Sequence, residues 1–177
     1  IATKDKVDRR LKEMAREIIA RYKQKDPLFV CLLRGGAPFT TKLLFEVAAQ
    51  APDFHPELDY LTVKTYSNQL TSKTPEVVMD LAPDTITEGR CIIILDDILD
   101  EGHTATFVTK HLLKHGAAAV DLVVLVQKQK DRSTYPAASL YGFEASDGWI
   151  IGMGMDDPRV KKEAHRWDDY IGITTTN

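Results

Sequence analysis

Cysteine is scarce: only Cys31 and Cys91 occur among 177 residues. Each lies in an apolar run, with neither the paired spacing of a zinc site nor a disulfide framework. Isolated cysteines of this kind are expected as buried free thiols in a reducing, cytoplasmic compartment. Long apolar runs are missing too. None approaches the ~18 residues of a membrane span, so no membrane partner is expected. Basic excess is also absent. The 23 Lys and Arg face 26 Asp and Glu, for a net charge of −3, which argues against a nucleic-acid partner. No signal-peptide pattern, internal repeat or low-complexity segment is visible, although the chain begins at Ile1 rather than Met and its native N-terminus is left open. What remains is 44% hydrophobic and 28% charged, ordinary globular values in a chain long enough for one domain with a substantial core.

The apolar pattern alternates between two periods. Val7, Leu11, Met14, Ile18 and Tyr22 recur in steps of three and four, which predicts an amphipathic helix over 4–23, ended by Asp26-Pro27. Leu28 to Leu33 is a continuous apolar run, as expected of a strand covered on both faces. A helical pattern then spans Thr40 to Gln50. Further strands are expected at Leu58–Lys64, Val77–Leu81, from Cys91, at Val120–Val126, Ser139–Phe143 and Trp149–Gly152. A helix carrying Thr106, Phe107, Val108, Leu112 and Leu113 ends at Lys114-His115-Gly116, basic residues followed by Gly. The polar stretch Thr65 to Pro75 reads as a loop, and a loop of that length in a compact domain is often a lid. From Asp156 the chain is charged and irregular until Tyr170 to Ile173. Strands alternating with helices predict an α/β fold, a mostly parallel sheet flanked by helices on both faces.

The sharpest feature is Cys91-Ile-Ile-Ile-Leu-Asp96-Asp97-Ile-Leu-Asp100-Glu101-Gly102-His103-Thr104. An apolar run of strand length stops at a cluster of acids, with Gly, a hydroxyl residue and a helix beyond. One reading is an acid-rich helix start, favoured by the macrodipole; it explains one acid easily and three poorly, since adjacent carboxylates repel. A second is the Asp-Asp-x-x-Asp Mg²⁺ chelator of prenyl-diphosphate synthases, which sits on long helices of an all-helical fold, whereas a strand precedes it here. The third is a sugar-phosphate site, with carboxylates for hydroxyls or a metal and a helix N-terminus for phosphate. Gly102 permits close backbone approach and Thr104 offers a hydroxyl. The third is favoured.

At this point the stretch resembles the signature of type I phosphoribosyltransferases: an apolar strand, two acids, two apolar residues, then Asp-Thr-Gly-x-Thr. The resemblance implies that Asp96 and Asp97 hold the ribose hydroxyls of phosphoribosyl pyrophosphate, that Asp100 is the base toward a purine, and that Glu101, Gly102, His103 and Thr104 form the 5′-phosphate loop. Glu101 stands where Thr is usual, so its side chain is expected to turn away. His103 stands where Lys is often found and is given no catalytic role.

Other segments have plain readings beside the implied ones. Leu33-Arg34-Gly35-Gly36 is by itself a strand-to-helix turn; it also resembles the family's pyrophosphate loop Leu-Lys-Gly-Gly, where a non-proline cis peptide can occur. Arg34 keeps the charge of Lys but offers a planar fork. Lys128 is otherwise one surface Lys among Gln127-Lys-Gln-Lys130; the resemblance makes it the donor to O6 of a 6-oxopurine. Trp149 on an apolar strand would ordinarily be core, but matches the aromatic that stacks on the base. Ile150 would then offer backbone atoms to the purine edge, and Asp156 would lie near Mg²⁺ and the base's 2-position. Arg166, in Arg-Trp-Asp-Asp-Tyr-Ile-Gly172, resembles the Arg that reaches pyrophosphate, at a longer gap from Asp156 than usual. Thr65-Tyr66 resembles the pair that opens the lid.

The resemblance covers Leu28 to Ile173 and is nearest to hypoxanthine-guanine phosphoribosyltransferases. It implies one domain over 1–177, with a core of about 25–145, a small hood from both chain ends over the base and a lid over 65–76. It implies conversion of hypoxanthine or guanine with phosphoribosyl pyrophosphate to the nucleoside monophosphate and pyrophosphate. Mg²⁺ would be held by Asp96, Asp97 and Asp156, and the assembly would be a homodimer or homotetramer. The alternatives are a xanthine-preferring enzyme and a non-catalytic nucleotide sensor of the same fold.

Overall fold

The computed structural model describes residues 1–66, 74–132 and 137–174, and of Thr65, Tyr66 and Thr74 the backbone alone. The expected helix forms as α1 (Lys4–Tyr22), followed by a 3₁₀ turn at Lys23–Lys25. Then come β1 (Leu28–Leu33), α2 (Gly36–Gln50), β2 (Glu57–Tyr66), β3 (Thr74–Met79), β4 (Cys91–Leu99), α3 (His103–Lys114), β5 (Ala119–Lys128), β6 (Leu140–Ala145), β7 (Trp149–Ile151) and β8 (Gly172–Thr174). Six strands make one sheet in the order β3-β2-β1-β4-β5-β6, in which only β2 and β3 pair antiparallel. The α/β fold with a mostly parallel, helix-flanked sheet is therefore present.

Period-two burial explains why the central strands read as unbroken apolar runs. Phe29 of β1, with Ile93 and Leu95 of β4, packs on the face covered by α1 and α2, where Val7, Leu11, Met14 and Ile18 meet Phe39, Leu43 and Val47. Leu28, Val30 and Leu32, with Ile92 and Ile94, face the other way, toward Val108 and Leu112 of α3. Both faces of a parallel sheet must be apolar when helices cover both. The Arg10 guanidinium of α1 donates to the carbonyls of Gly142 (3.1 Å) and Tyr141 (2.8 Å) on edge strand β6, and covers an edge that would otherwise be open.

Several boundaries differ from the sequence expectation. β4 does not stop at the acids but runs through them to Leu99, because β5 supplies ladder partners as far as Leu99↔Gln127. Both α2 and α3 begin about a turn earlier than their apolar patterns, at Gly36 and His103. Thr65 and Tyr66 are strand rather than loop, paired with Pro75 and Thr74 in an antiparallel hairpin; Thr and Tyr are themselves strand formers. Of the lid expected over 65–76, residues 67–73 lie outside the described residues.

The two short strands β7 and β8 form a separate antiparallel sheet. The N-terminus joins it: Ala2 N–H donates to Ile171 O (3.0 Å) and Ile171 N–H to Ala2 O (2.8 Å). Ile150, Met153, Met155 and Ile171 then pack into the cluster beneath α1 and α2. Among the described residues, no helix is long and apolar enough to cross a membrane.

Candidate active site

Connections leave β1 toward β2 on one side, whereas β4 and β5 lie on the other. The strand order thus reverses between β1 and β4, and crevices beyond the carboxyl ends at such a point are where open α/β sheets bind ligands. Three strand ends converge there: β1 delivers Arg34–Gly36, β4 delivers Asp96 through Thr104, and β5 delivers Lys128.

Asp96 and Asp97 are adjacent on β4, and Asp97 N–H donates to Asp96 Oδ1 at 3.0 Å. Burial and the neighbouring carboxylate push Asp96 well above the usual carboxylate range. Burial raises Asp97 as well, against a hydrogen bond from Asp96 and the attraction of Arg166. Asp97 is 7% exposed and sits between two glycines. A Cβ on Gly35 would stand 2.7 Å from Asp97 Cγ, and one on Gly154 3.0 Å from Asp97 Cβ. Close approach of three backbones at the acid pair is what these glycines permit.

The end of β4 turns at Gly102, whose φ of +95° favours glycine. Its carbonyl accepts from Thr106 N–H at 2.9 Å as α3 begins. The N-terminus of α3, with its positive dipole end, therefore follows directly on the acids of β4. Glu101 and His103 have side chains 65% and 58% exposed and pair with each other at 3.0 Å.

Asp100 and Lys128, both assigned to the purine by the resemblance, are in direct contact: Lys128 Nζ donates to Asp100 Oδ2 at 2.7 Å. Lys130 lies 3.9 Å from Asp100 Oδ1, yet that oxygen is buried and accepts no hydrogen bond from the described residues. A buried carboxylate oxygen without a donor is costly unless something else uses it. Arg132, not singled out in the sequence, clamps this corner by donating to the carbonyls of Asp100 (2.5 Å), Lys128 (2.6 Å) and Leu99 (3.3 Å).

One side of the crevice is built from two loops. The Leu33–Arg34 peptide is cis, and the Arg34 guanidinium pairs with Glu163. Arg166 is brought to the same place despite its distance in sequence, because the irregular segment closes on itself. Gly154 N–H donates to Arg166 O (2.9 Å) and Asp157 N–H to Ala164 O (3.0 Å). The Arg166 guanidinium, 11% exposed, pairs with Asp156 at 2.9 Å and with Glu163, and donates to Gly154 O. Glu163 thus stands between the two arginines. Sequence reading missed it, since an irregular segment has no periodicity to mark it; its position three residues before Arg166 was the available signal.

On the small sheet, Trp149 is 42% exposed and its indole N–H donates to Asp156 O at 2.9 Å. The Arg159 guanidinium lies 4.8 Å from its ring centroid, held by two 2.7 Å hydrogen bonds to Asp157. Arg159 too was not singled out. Ile150 is buried and pairs in register with Ile173.

Comparison with known proteins bears on the family and the fold. A phosphoribosyl transferase domain model matches residues 1–158. The hypoxanthine-guanine phosphoribosyltransferase of Lactococcus lactis is 31% identical over 173 residues, covering 98% of this chain and 88% of that protein. A bifunctional TilS/HprT protein of Listeria innocua is 30% identical over 174 residues, covering 98% of this chain. The chain spans a quarter (25%) of that protein's length. A hypoxanthine phosphoribosyltransferase structure from Staphylococcus aureus, 24% identical, superposes with a TM-score of 0.85 over 99% of this chain and 90% of that one, and so shares the fold. Domain match and relatives together assign the chain: it belongs to the phosphoribosyl transferase family, among the hypoxanthine-guanine phosphoribosyltransferases.

Proposed function

We propose that this chain is a purine-salvage enzyme that joins hypoxanthine or guanine to phosphoribosyl pyrophosphate, releasing pyrophosphate. The observation that carries the reading is the Lys128–Asp100 contact at the end of the sheet, beside an acid pair and a helix N-terminus. It offers a cation and a carboxylate side by side to one heterocycle edge. Lys128 donates to O6, which an adenine amino group could not accept, and Asp100 takes the proton from the attacking purine as general base. Trp149 stacks on the base with Ile150 and Asp156 at its edge. The β7–β8 sheet with the N-terminus acts as the hood.

Asp96 and Asp97 hold the ribose hydroxyls and place negative potential where the sugar becomes cationic as the leaving group departs. The amides of Glu101, Gly102, His103 and Thr104 hold the 5′-phosphate, with the Glu101 carboxylate turned outward to His103. Arg34, the Gly35 amide and Arg166 take pyrophosphate. Asp96, Asp97 and Asp156 are the carboxylates that would hold Mg²⁺, with Arg166, paired with Asp156 at 2.9 Å, as the cation beside them. Bound there, Mg²⁺ would supply charge to the pyrophosphate oxygens. Thr65 and Tyr66 open a lid that keeps water from the activated sugar. The free thiols Cys31 and Cys91 suit a cytoplasmic setting, and the family resemblance points to a homodimer or homotetramer.

The test offers Mg²⁺ and phosphoribosyl pyrophosphate with hypoxanthine, guanine, xanthine or adenine separately and measures pyrophosphate release. Turnover with hypoxanthine and guanine, and none with adenine, is the expected result. Turnover with xanthine alone would reassign the base, and nucleotide binding without any turnover would make the chain a sensor.

A further inference from the structure

Away from this site, the C-terminal end of α3 carries a second cluster. His111 lies in the last turn of the helix and His115 is its C-cap. A spacing of four places both rings on one helix face, and their centroids are 4.3 Å apart. Asp80, directly after β3, aims its carboxylate at the same spot, with its two oxygens 2.9 and 3.1 Å from His111 Nε2. One ligand atom from each of the three side chains can be chosen so that all lie within 4.8 Å of one another. We propose that Asp80, His111 and His115 bind a borderline first-row divalent cation, with Zn²⁺ as its probe.

His115 and Asp80 are oriented as ligands, whereas His111 Nε2, facing a carboxylate that only accepts, gives up its proton when a metal binds. His115 Nδ1 is 2.8 Å from the His111 carbonyl oxygen. A carbonyl only accepts, so Nδ1 carries the proton and Nε2 keeps its lone pair; metal-bound imidazoles are commonly fixed through the other ring nitrogen in this way. Asp80 Oδ1 accepts the Leu81 N–H at 2.9 Å, which orients the carboxylate. The His111 ring lies nearly parallel to Phe107, at 16° and 6.5 Å. Asp80 and His115 are exposed and His111 half-buried, so an ion has access from solvent.

Ligand chemistry selects the metal class. Two imidazoles and one carboxylate suit Zn²⁺, Co²⁺ or Ni²⁺, whereas Mg²⁺ prefers oxygen in an octahedron and would be drawn to the acids of the crevice. Three protein ligands leave a fourth position for water. A plain ion pair between His111 and Asp80, with His115 serving only as a helix cap, is the competing explanation. It gives no reason for zinc affinity to depend on His115. A bound ion would staple the end of edge strand β3 to the end of α3, the helix that begins at the proposed phosphate loop. The site does not rest on the proposed reaction and is tested without it.

The experiment is a calorimetric titration of the untagged full chain with ZnCl₂, in saturating Mg²⁺ to occupy the crevice acids. One ion per chain and a raised thermal midpoint are expected, together with visible absorption bands when Co²⁺ replaces Zn²⁺. His115→Ala deletes a ligand while leaving the His111–Asp80 contact, so it should fold and weaken zinc binding about tenfold or more; Asp80→Asn should do the same. Failure of the parent chain to bind zinc would overturn the site. Unchanged affinity in either variant would also overturn it, by placing the zinc elsewhere.

Discussion

Asp100 presents two oxygens with opposite surroundings: one holds Lys128 at 2.7 Å and the other is buried without a donor among the described residues. That asymmetry suits a base whose free oxygen receives a proton while its partner is held by a cation. Asp100→Asn keeps the shape and loses the base. Turnover is expected to fall about 10²–10⁴-fold with an unchanged circular dichroism spectrum, measured by pyrophosphate release. Asp96 makes a different prediction. Burial and its acidic neighbour raise its folded-state value, so the native chain holds that proton more tightly than the unfolded chain. The associated stability is present in full below the ordinary carboxylate range and is lost as pH rises through the folded-state value. Asp96→Asn removes this loss. Its thermal midpoint should match the parent's at acid pH and exceed it at pH 7, while ribose binding is lost. Melting curves of the ligand-free protein against pH check the crossing.

Among the elements, much of the architecture was legible. Strands buried on both faces wrote themselves as Leu28–Leu33 and Val120–Val126, and α1 as one apolar face from Val7 to Tyr22. The strand through Asp96 and Asp97 was not legible past Leu95, because adjacent acids in a strand contradict the local pattern and only the pairing with β5 carries the ladder onward. The candidate site divides in the same way. Side chains at strand ends were found through their motif, whereas Arg132, Arg159 and Glu163 lie in irregular segments where contacts depend on how the loop closes. Gly154 belongs to such a closure. Its φ is +117°, and a Cβ there would also meet the Gly35 carbonyl. Gly154→Ala should cost about 2–4 kcal/mol in urea unfolding, from backbone strain and overpacking together. It should also abolish activity by displacing Asp97.

Taken as a whole, the molecule carries a net charge of −3, an unpromising total for a protein proposed to bind two phosphate-bearing groups. Attraction is local: the guanidiniums of Arg34 and Arg166, now paired with Glu163 and Asp156, are the groups an incoming anion would meet, and a Debye length of about 8 Å at physiological salt screens the acids farther off. Glu163 then acquires a meaning beyond packing. Because its carboxylate already lies between Arg34 and Arg166, the resting crevice carries an internal counterion. An incoming anion exchanges with it rather than condensing onto bare charge, so few salt ions need be released on binding. Product inhibition by pyrophosphate should therefore respond weakly to added KCl in the parent chain. In Glu163→Gln it should strengthen at low salt and decline more steeply as KCl rises, the behaviour of an ion exchanger whose fixed counterion has been washed out.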